Sequence, residues 1–225
     1  MKKSFLLVLL PLLFTNVYAQ ENPEKELGTW YIFATNTKFS DKISLQVQSQ
    51  LRTYELANEL QQFKIRVGGT YQITKGVSGS FGYAFFINDP SYLSDTPDNF
   101  NEHRIYEVIT LKNDISPFKL THRYMAEQRF LNLDSGTINR NWMRYMLQID
   151  YPLDEYWNLD IYDEIFLNLE HPNFGQNWLG GGISYKFNKN WKLRAGYFNQ
   201  HFENISFNRL VLAVTLNLDA TKTKE

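Results

Sequence analysis

Hydrophobic and polar positions alternate along most of the chain. In the stretch from Asn173 to Gln200, Leu179, Gly181, Ile183, Tyr185 and Phe187 fall on one side at period two. Gln176, Trp178, Gly180, Gly182, Ser184 and Lys186 fall on the other. After a polar turn, Asn188-Lys189-Asn190, Trp191, Leu193, Ala195 and Tyr197 oppose Lys192, Arg194, Gly196, Phe198 and Gln200. This is the pattern of a long β-hairpin with one apolar and one polar face.

The same reading along the chain predicts strands near 28–39, 41–57, 61–74, 77–88, 101–113, 118–133, 138–153, 156–169, 174–188, 191–203 and 205–218. Helical periodicity is weak. Its best competitor, Leu51 to Phe63, reads as two strand ends around Ala57-Asn58-Glu59. Many of these segments exceed the 5–6 residues of an ordinary globular strand, and they suit the 9–11 or more of a transmembrane one.

The connections alternate in kind. Phe39-Ser40-Asp41-Lys42, Thr74-Lys75-Gly76, Ile115-Ser116-Pro117, Pro152-Leu153-Asp154-Glu155 and Asn188-Lys189-Asn190 are short. Asn88 to Asn101, Asp134 to Asn139 and Glu170 to Asn173 read as longer loops. Outer-membrane barrels have short periplasmic turns and longer external loops. The expected fold is therefore a single-domain, all-β, antiparallel up-and-down transmembrane barrel of 10–12 strands, covering residues 20–225. An odd count of segments conflicts with the even counts of bacterial barrels. It predicts either ten strands, with 28–39 outside the wall, or twelve.

Met1 to Ala19 adds an export signal: basic Lys2 and Lys3, an apolar run from Phe5 to Phe14, and a Val17-Tyr18-Ala19 cleavage site. The run is too short to span a bilayer as a helix. The expected location is the outer membrane of a Gram-negative cell, reached through a cleaved signal peptide. Outer-membrane lipids and, in transit, the barrel-assembly machinery are the expected partners.

The whole sequence has 23 Lys+Arg and 24 Asp+Glu; without Lys2 and Lys3 this leaves 21 against 24, or −3. Such a balance argues against nucleic acid as a partner. The absence of cysteine excludes disulfides, a thiol nucleophile and a thiolate metal site.

Charge collects on the side away from the predicted lipid face. The expected lumen holds Arg52, Lys64, Arg66, Arg123, Arg129, Arg140, Arg144, Lys186, Arg194 and Arg209, with Glu127, Asp150, Asp160 and Glu164. Arg or Lys on the lipid face near the midplane would cost about 2–4 kcal/mol. On segment 156–169 the apolar side has one misfit, Asp163. A lumen rich in Arg and Lys prefers anions. A narrow barrel is also just wide enough for side chains to fill, so ion pairs such as Arg123 with Glu127 could plug it. The plug accounts least well for the surplus of basic residues. Trp30, Tyr71, Tyr151, Trp157, Tyr185 and Trp191, near strand ends, suit an interfacial girdle.

Catalytic patterns are scarce. His103, His122, His171 and His201 form no HExxH, and there is no Gly-x-Ser-x-Gly or phosphate loop. His201, Glu203 and Ser206 have residue types suited to acyl transfer. Asp160, Asp163 and Glu164 could form an acid pair or a cation site, though they suit arginine partners better. No catalytic residue, cofactor or metal is assigned.

The ordered pieces together resemble domain-of-unknown-function family 2490, uncharacterised bacterial outer-membrane proteins common in Bacteroidetes. They are Trp30; Phe39-Ser40-Asp41-Lys42 with Gln50-x-Arg52; His122-Arg123-Tyr124 with Glu127 and Arg129; Arg140 with Arg144-Tyr145; Tyr162-Asp163-Glu164-x-Phe166; Phe174-x-Gln176-Asn177 with Gly182 and Tyr185; and Gly196-Tyr197-x-x-Gln200. Trp178 stands where the resemblance leads one to expect Arg. The last strand lacks a terminal aromatic, ending at Leu218 before a polar tail, Asp219 to Glu225. The resemblance implies a location and an architecture but no activity. The expected function is a structural barrel or a narrow, anion-preferring, porin-like pore. The alternatives are an outer-membrane lipid-modifying hydrolase and a soluble periplasmic ligand-binding β-barrel.

Overall fold

The computed structural model describes residues 26–92 and 98–221. The expected signal peptide, residues 1–19, lies outside the described residues. The strands are β1 (Leu27–Lys38), β2 (Ile43–Thr53), β3 (Leu60–Thr74), β4 (Val77–Asn88), β5 (Phe100–Ile115), β6 (Phe118–Leu133), β7 (Gly136–Pro152), β8 (Trp157–Asn168), β9 (Phe174–Lys186), β10 (Trp191–His201) and β11 (Ser206–Asp219). Each pairs with its neighbour in sequence, and β1 pairs with β11 to close a barrel.

Each predicted segment matches one strand, with ends shifted by a few residues. The count is eleven, so neither expected escape to ten or twelve holds. The first segment belongs to the wall, and the parity problem is solved at the seam. There β1 runs parallel to β11, from Leu27↔Asn208 to Lys38↔Asp219, while every other pairing is antiparallel. An odd number of up-and-down strands can close only in this way.

At one rim, which we call the turn rim, connections 39–42, 75–76, 116–117, 153–156 and 187–190 are tight. Side chains close several of them, as Asx and Ser turns do. Asp154 Oδ1 accepts from the Tyr156 and Trp157 amides at 2.7 and 2.6 Å. Asn188 Oδ1 accepts from those of Asn190 and Trp191 at 2.8 and 3.0 Å. The opposite loop rim carries 54–59, 89–99, 134–135, 169–173 and 202–205. The connection expected from Asp134 to Asn139 is a tight turn instead. Gly136 takes φ +118° there, and β7 starts at that residue. A positive φ is what glycine permits.

The two faces sort as the alternation predicts. Outward side chains form an apolar surface in which Phe81, Ile161 and Leu179 are 60–61% exposed. Inside, Trp30, Phe166, Trp178, Phe198 and Val211 make one buried cluster. Trp30 sits 4.6 Å from the Phe198 ring and 5.0 Å from Trp178. Trp30 therefore belongs to the lumen and not to a girdle, because it shares its side of β1 with Ala34 and Asn36. Tyr71, Tyr151, Trp157 and Trp191 are exposed at the turn end, and Tyr185 stacks 4.6 Å from Trp157.

Candidate functional site: a charged lumen

Seven charged side chains from β5, β6, β7 and β8 form an ordered ladder inside the barrel. Arg129 donates from Nε and Nη2 to the two Glu102 oxygens at 2.7 and 2.8 Å. Arg104 donates to Glu102 Oε1 through Nε and Nη2, at 2.9 and 2.5 Å, and to Glu127 Oε1 through Nη1 at 2.9 Å. Arg144 bridges Glu127 and Glu164, at 2.8 and 2.7 Å. Arg123 reaches Glu164 at 2.7 Å.

The β-register explains the pairing. Glu127 lies opposite Tyr106 on β5 and Trp142 on β7, so Arg104 and Arg144 are its diagonal neighbours. The expected partnership of Arg123 with Glu127 does not form. Four residues along a strand span about 13 Å, and Arg123 reaches over Met146 on β7 to Glu164 on β8 instead. The flat guanidinium groups also rest on rings. Arg144 lies 4.0 Å from the Phe166 centroid, Arg104 4.3 Å from Phe86, and Arg129 4.6 Å from Trp142.

Arg194 and Asp160 form a separate two-point pair between β10 and β8, at 2.8 and 2.6 Å. Asp150 accepts from Gln148 and Asn158. Arg140 lies at the loop rim, half exposed, 2.6 Å from Glu170. Lys186 is exposed at the turn rim.

The remaining lumen cations have no carboxylate partner among the described residues. Arg52 stacks 3.7 Å over Trp30, with Gln50 at 3.5 Å as its polar contact. Arg66 donates to Gln46 at 2.6 Å and lies 5.0 Å from the Tyr106 centroid. Lys64 lines the lumen with no hydrogen bond or ion pair among the described residues. Arg209 is fully buried, with Nε and Nη2 unpartnered. Of the predicted lumen residues, then, Arg123, Glu127, Arg129, Arg144 and Glu164 come together in one network, and Asp160 with Arg194 in another. Among the described residues, Arg52, Arg66 and Arg209 have no acid as partner.

Glu102 and Arg104 complete the ladder and were not among the predicted residues. Alternation along β5 could have placed them, since they share a side with Tyr106 and Val108. Glu107, on the opposite side among Ile105, Ile109 and Leu111, masks that signal, as does His103 beside them.

Two cavities occupy the lumen. The one toward the loop rim, about 430 Å³, extends up to Asn88, Asp89 and Pro90. The one toward the turn rim, about 310 Å³, is lined by hydroxyl and amide side chains such as Ser78, Ser80, Thr110 and Gln46. Arg66, Tyr106, Arg123 and Met125 line both, and so form the septum between them.

Outside the lumen, His201 Nδ1 and Ser206 Oγ meet at 2.8 Å at the exposed loop rim. No acid bonds to that imidazole among the described residues, so Glu203 does not complete a triad. Asp163 points outward and accepts from Asn177. No group of His, Asp and Glu suited to a metal ion occurs among the described residues.

Among solved structures, the translocator domain of the autotransporter NalP from Neisseria meningitidis is similar, with 11% identity and a TM-score of 0.48 over 76% of this chain and 72% of that chain. No curated protein matches the sequence significantly. The sequence matches the family described as protein of unknown function, DUF2490, over residues 27–211, and the chain belongs to that family.

Proposed function

We propose that the protein is an outer-membrane β-barrel forming a narrow, anion-preferring passage. The membrane setting is supported by a closed wall with an apolar outer face and aromatic residues at the turn end, the form in which strands satisfy their backbone groups within lipid. Export through a cleaved signal peptide fits this setting. The turn rim is then periplasmic and the loop rim external.

The observation that carries the functional reading is the charge imbalance of the lumen. Seven basic side chains line the loop-rim cavity against Asp89, Glu127 and Glu164. The ladder occupies its three carboxylates with four arginines, which leaves Arg52, Lys64 and Arg66 to face whatever enters. An ion passing between the cavities must move the septum side chains, so conductance is small.

Planar-bilayer recording across a KCl gradient tests this. The expected result is small steps whose reversal potential follows chloride. Cation-selective steps, or no steps from the wild type and from a septum-opened Tyr106→Ala variant alike, would overturn the proposal.

A further inference from the structure

We infer that the loop-rim cavity is a binding site for a small organic anion carrying two or more acidic groups on a flat or apolar frame. This rests on the anion-preferring reading above and names the ligand class. With Glu102 counted alongside the three acids that line the cavity, seven positive charges face four negative ones. Buried charge without a partner is costly, so the cavity calls for about three negative charges.

Among the described residues, most of the unmatched groups in this cavity are donors, against two unmatched acceptors, Gln62 Oε1 and Glu127 Oε2. Arg52 Nε, Arg66 Nε, Arg123 Nε, Gln50 Nε2 and the Trp30 and Trp142 indole N–H groups are buried without a hydrogen-bond partner, and Lys64, in the same cavity, has no bond or ion pair among the described residues. Arginine and lysine cannot accept a hydrogen bond, and the guanidinium fork matches carboxylate or phosphate oxygens. The ligand must therefore be rich in acceptors.

A smaller share of the lining is aromatic. Trp30, Trp142, Trp178, Phe86 and Phe166 border the same space, several beneath arginines stacked on their faces. A simple halide would meet the arginines alone and leave the ring edges that reach the cavity without a partner. A flat organic frame covers them while its acid groups reach the arginines. A volume of about 430 Å³ fits a small molecule.

Benzene-1,3,5-tricarboxylate is a probe with three charges on a flat ring. The full-length barrel, folded in detergent micelles, is titrated with this probe, benzoate, inorganic phosphate and chloride, with tryptophan fluorescence and calorimetry as readouts. The tricarboxylate is expected to bind one to one, at least tenfold more tightly than the other three. Lys64→Met should weaken it at least tenfold with circular dichroism unchanged, and Lys75→Met, at the turn rim, should leave it intact. Should Lys64→Met not fold, Arg52→Gln supplies the same comparison.

The inference fails if the folded barrel gives no saturable signal with the tricarboxylate to 10 mM, an upper limit of the order of weak, millimolar binding. It also fails if phosphate or chloride binds as well, or if the lumen variants bind like wild type. Binding in micelles needs no conduction. A barrel that conducts anions without binding the probe sinks this inference and leaves the passage standing.

Discussion

The Tyr106 hydroxyl donates to the Val67 carbonyl at 3.1 Å, two strands away from its own. The ring crosses β4 because Gly68 and Gly82 leave room for it. A Cβ on Gly82 would sit 2.3 Å from the hydroxyl oxygen and 2.4 Å from the Val67 carbonyl oxygen. Tyr106 is thus the crossbar of the septum.

Removing that crossbar should join the two cavities. Tyr106→Ala is expected to raise single-channel conductance several-fold while keeping anion preference. Tyr106→Phe, which keeps the ring, should conduct like wild type and lose about 1 kcal/mol of stability with its hydrogen bond.

Filling the space beneath the ring should act on the fold. Gly82→Ala must displace the ring and press on backbone, at a cost of about 1–3 kcal/mol as overpacking. Thermal unfolding in micelles measures it, and an unchanged midpoint would contradict the packing described.

The ladder and the rim pair should differ sharply. Glu127→Ala leaves Arg104 and Arg144 facing each other without their shared acid, a loss of about 3–5 kcal/mol. Glu170→Ala removes only the exposed partner of Arg140, where about 0–1 kcal/mol is expected. Urea unfolding of both variants checks the ranking.

Glu107 points outward from the middle of β5, beside Phe81 and Ala126 in register, and has no hydrogen bond or ion pair among the described residues. On a lipid-facing wall an acid costs less than the 2–4 kcal/mol of Arg or Lys. Glu107→Leu is expected to stabilise the barrel by about 1 kcal/mol in lipid. Destabilisation would mean that the carboxylate has a partner there.

The contact of His201 with Ser206 invites one chemical check. Hydrolysis of a p-nitrophenyl ester by the folded barrel should stay at the buffer rate, and Ser206→Ala should not change it.

Most of the wall was legible in the sequence, because strand alternation is a local signal. The outward set of β7 (Met143, Tyr145, Leu147, Ile149) and the inward set (Trp142, Arg144, Met146) follow from period two alone. Pairing partners within the lumen were not legible, since they depend on which strands face each other. Arg123 and Glu127 looked like partners in the chain, yet each finds its charge on another strand. Trp30 read as interfacial because aromatic residues near strand ends often are, and its contact with Trp178 and Phe198, on the side of β1 it shares with Ala34 and Asn36, shows otherwise. The seam left no local trace, because β1 and β11 meet across almost the whole length of the sequence.

That parallel seam gives the molecule a direction. Leu27 and Asp219 stand at opposite ends of the barrel, whereas an even-stranded wall would bring both termini out together. In a sealed vesicle, a protease or antibody confined to one side would therefore meet the rim beside Leu27 or the rim beside Asp219, and not both. Tags placed in one turn-rim and one loop-rim connection of a single chain would report its orientation.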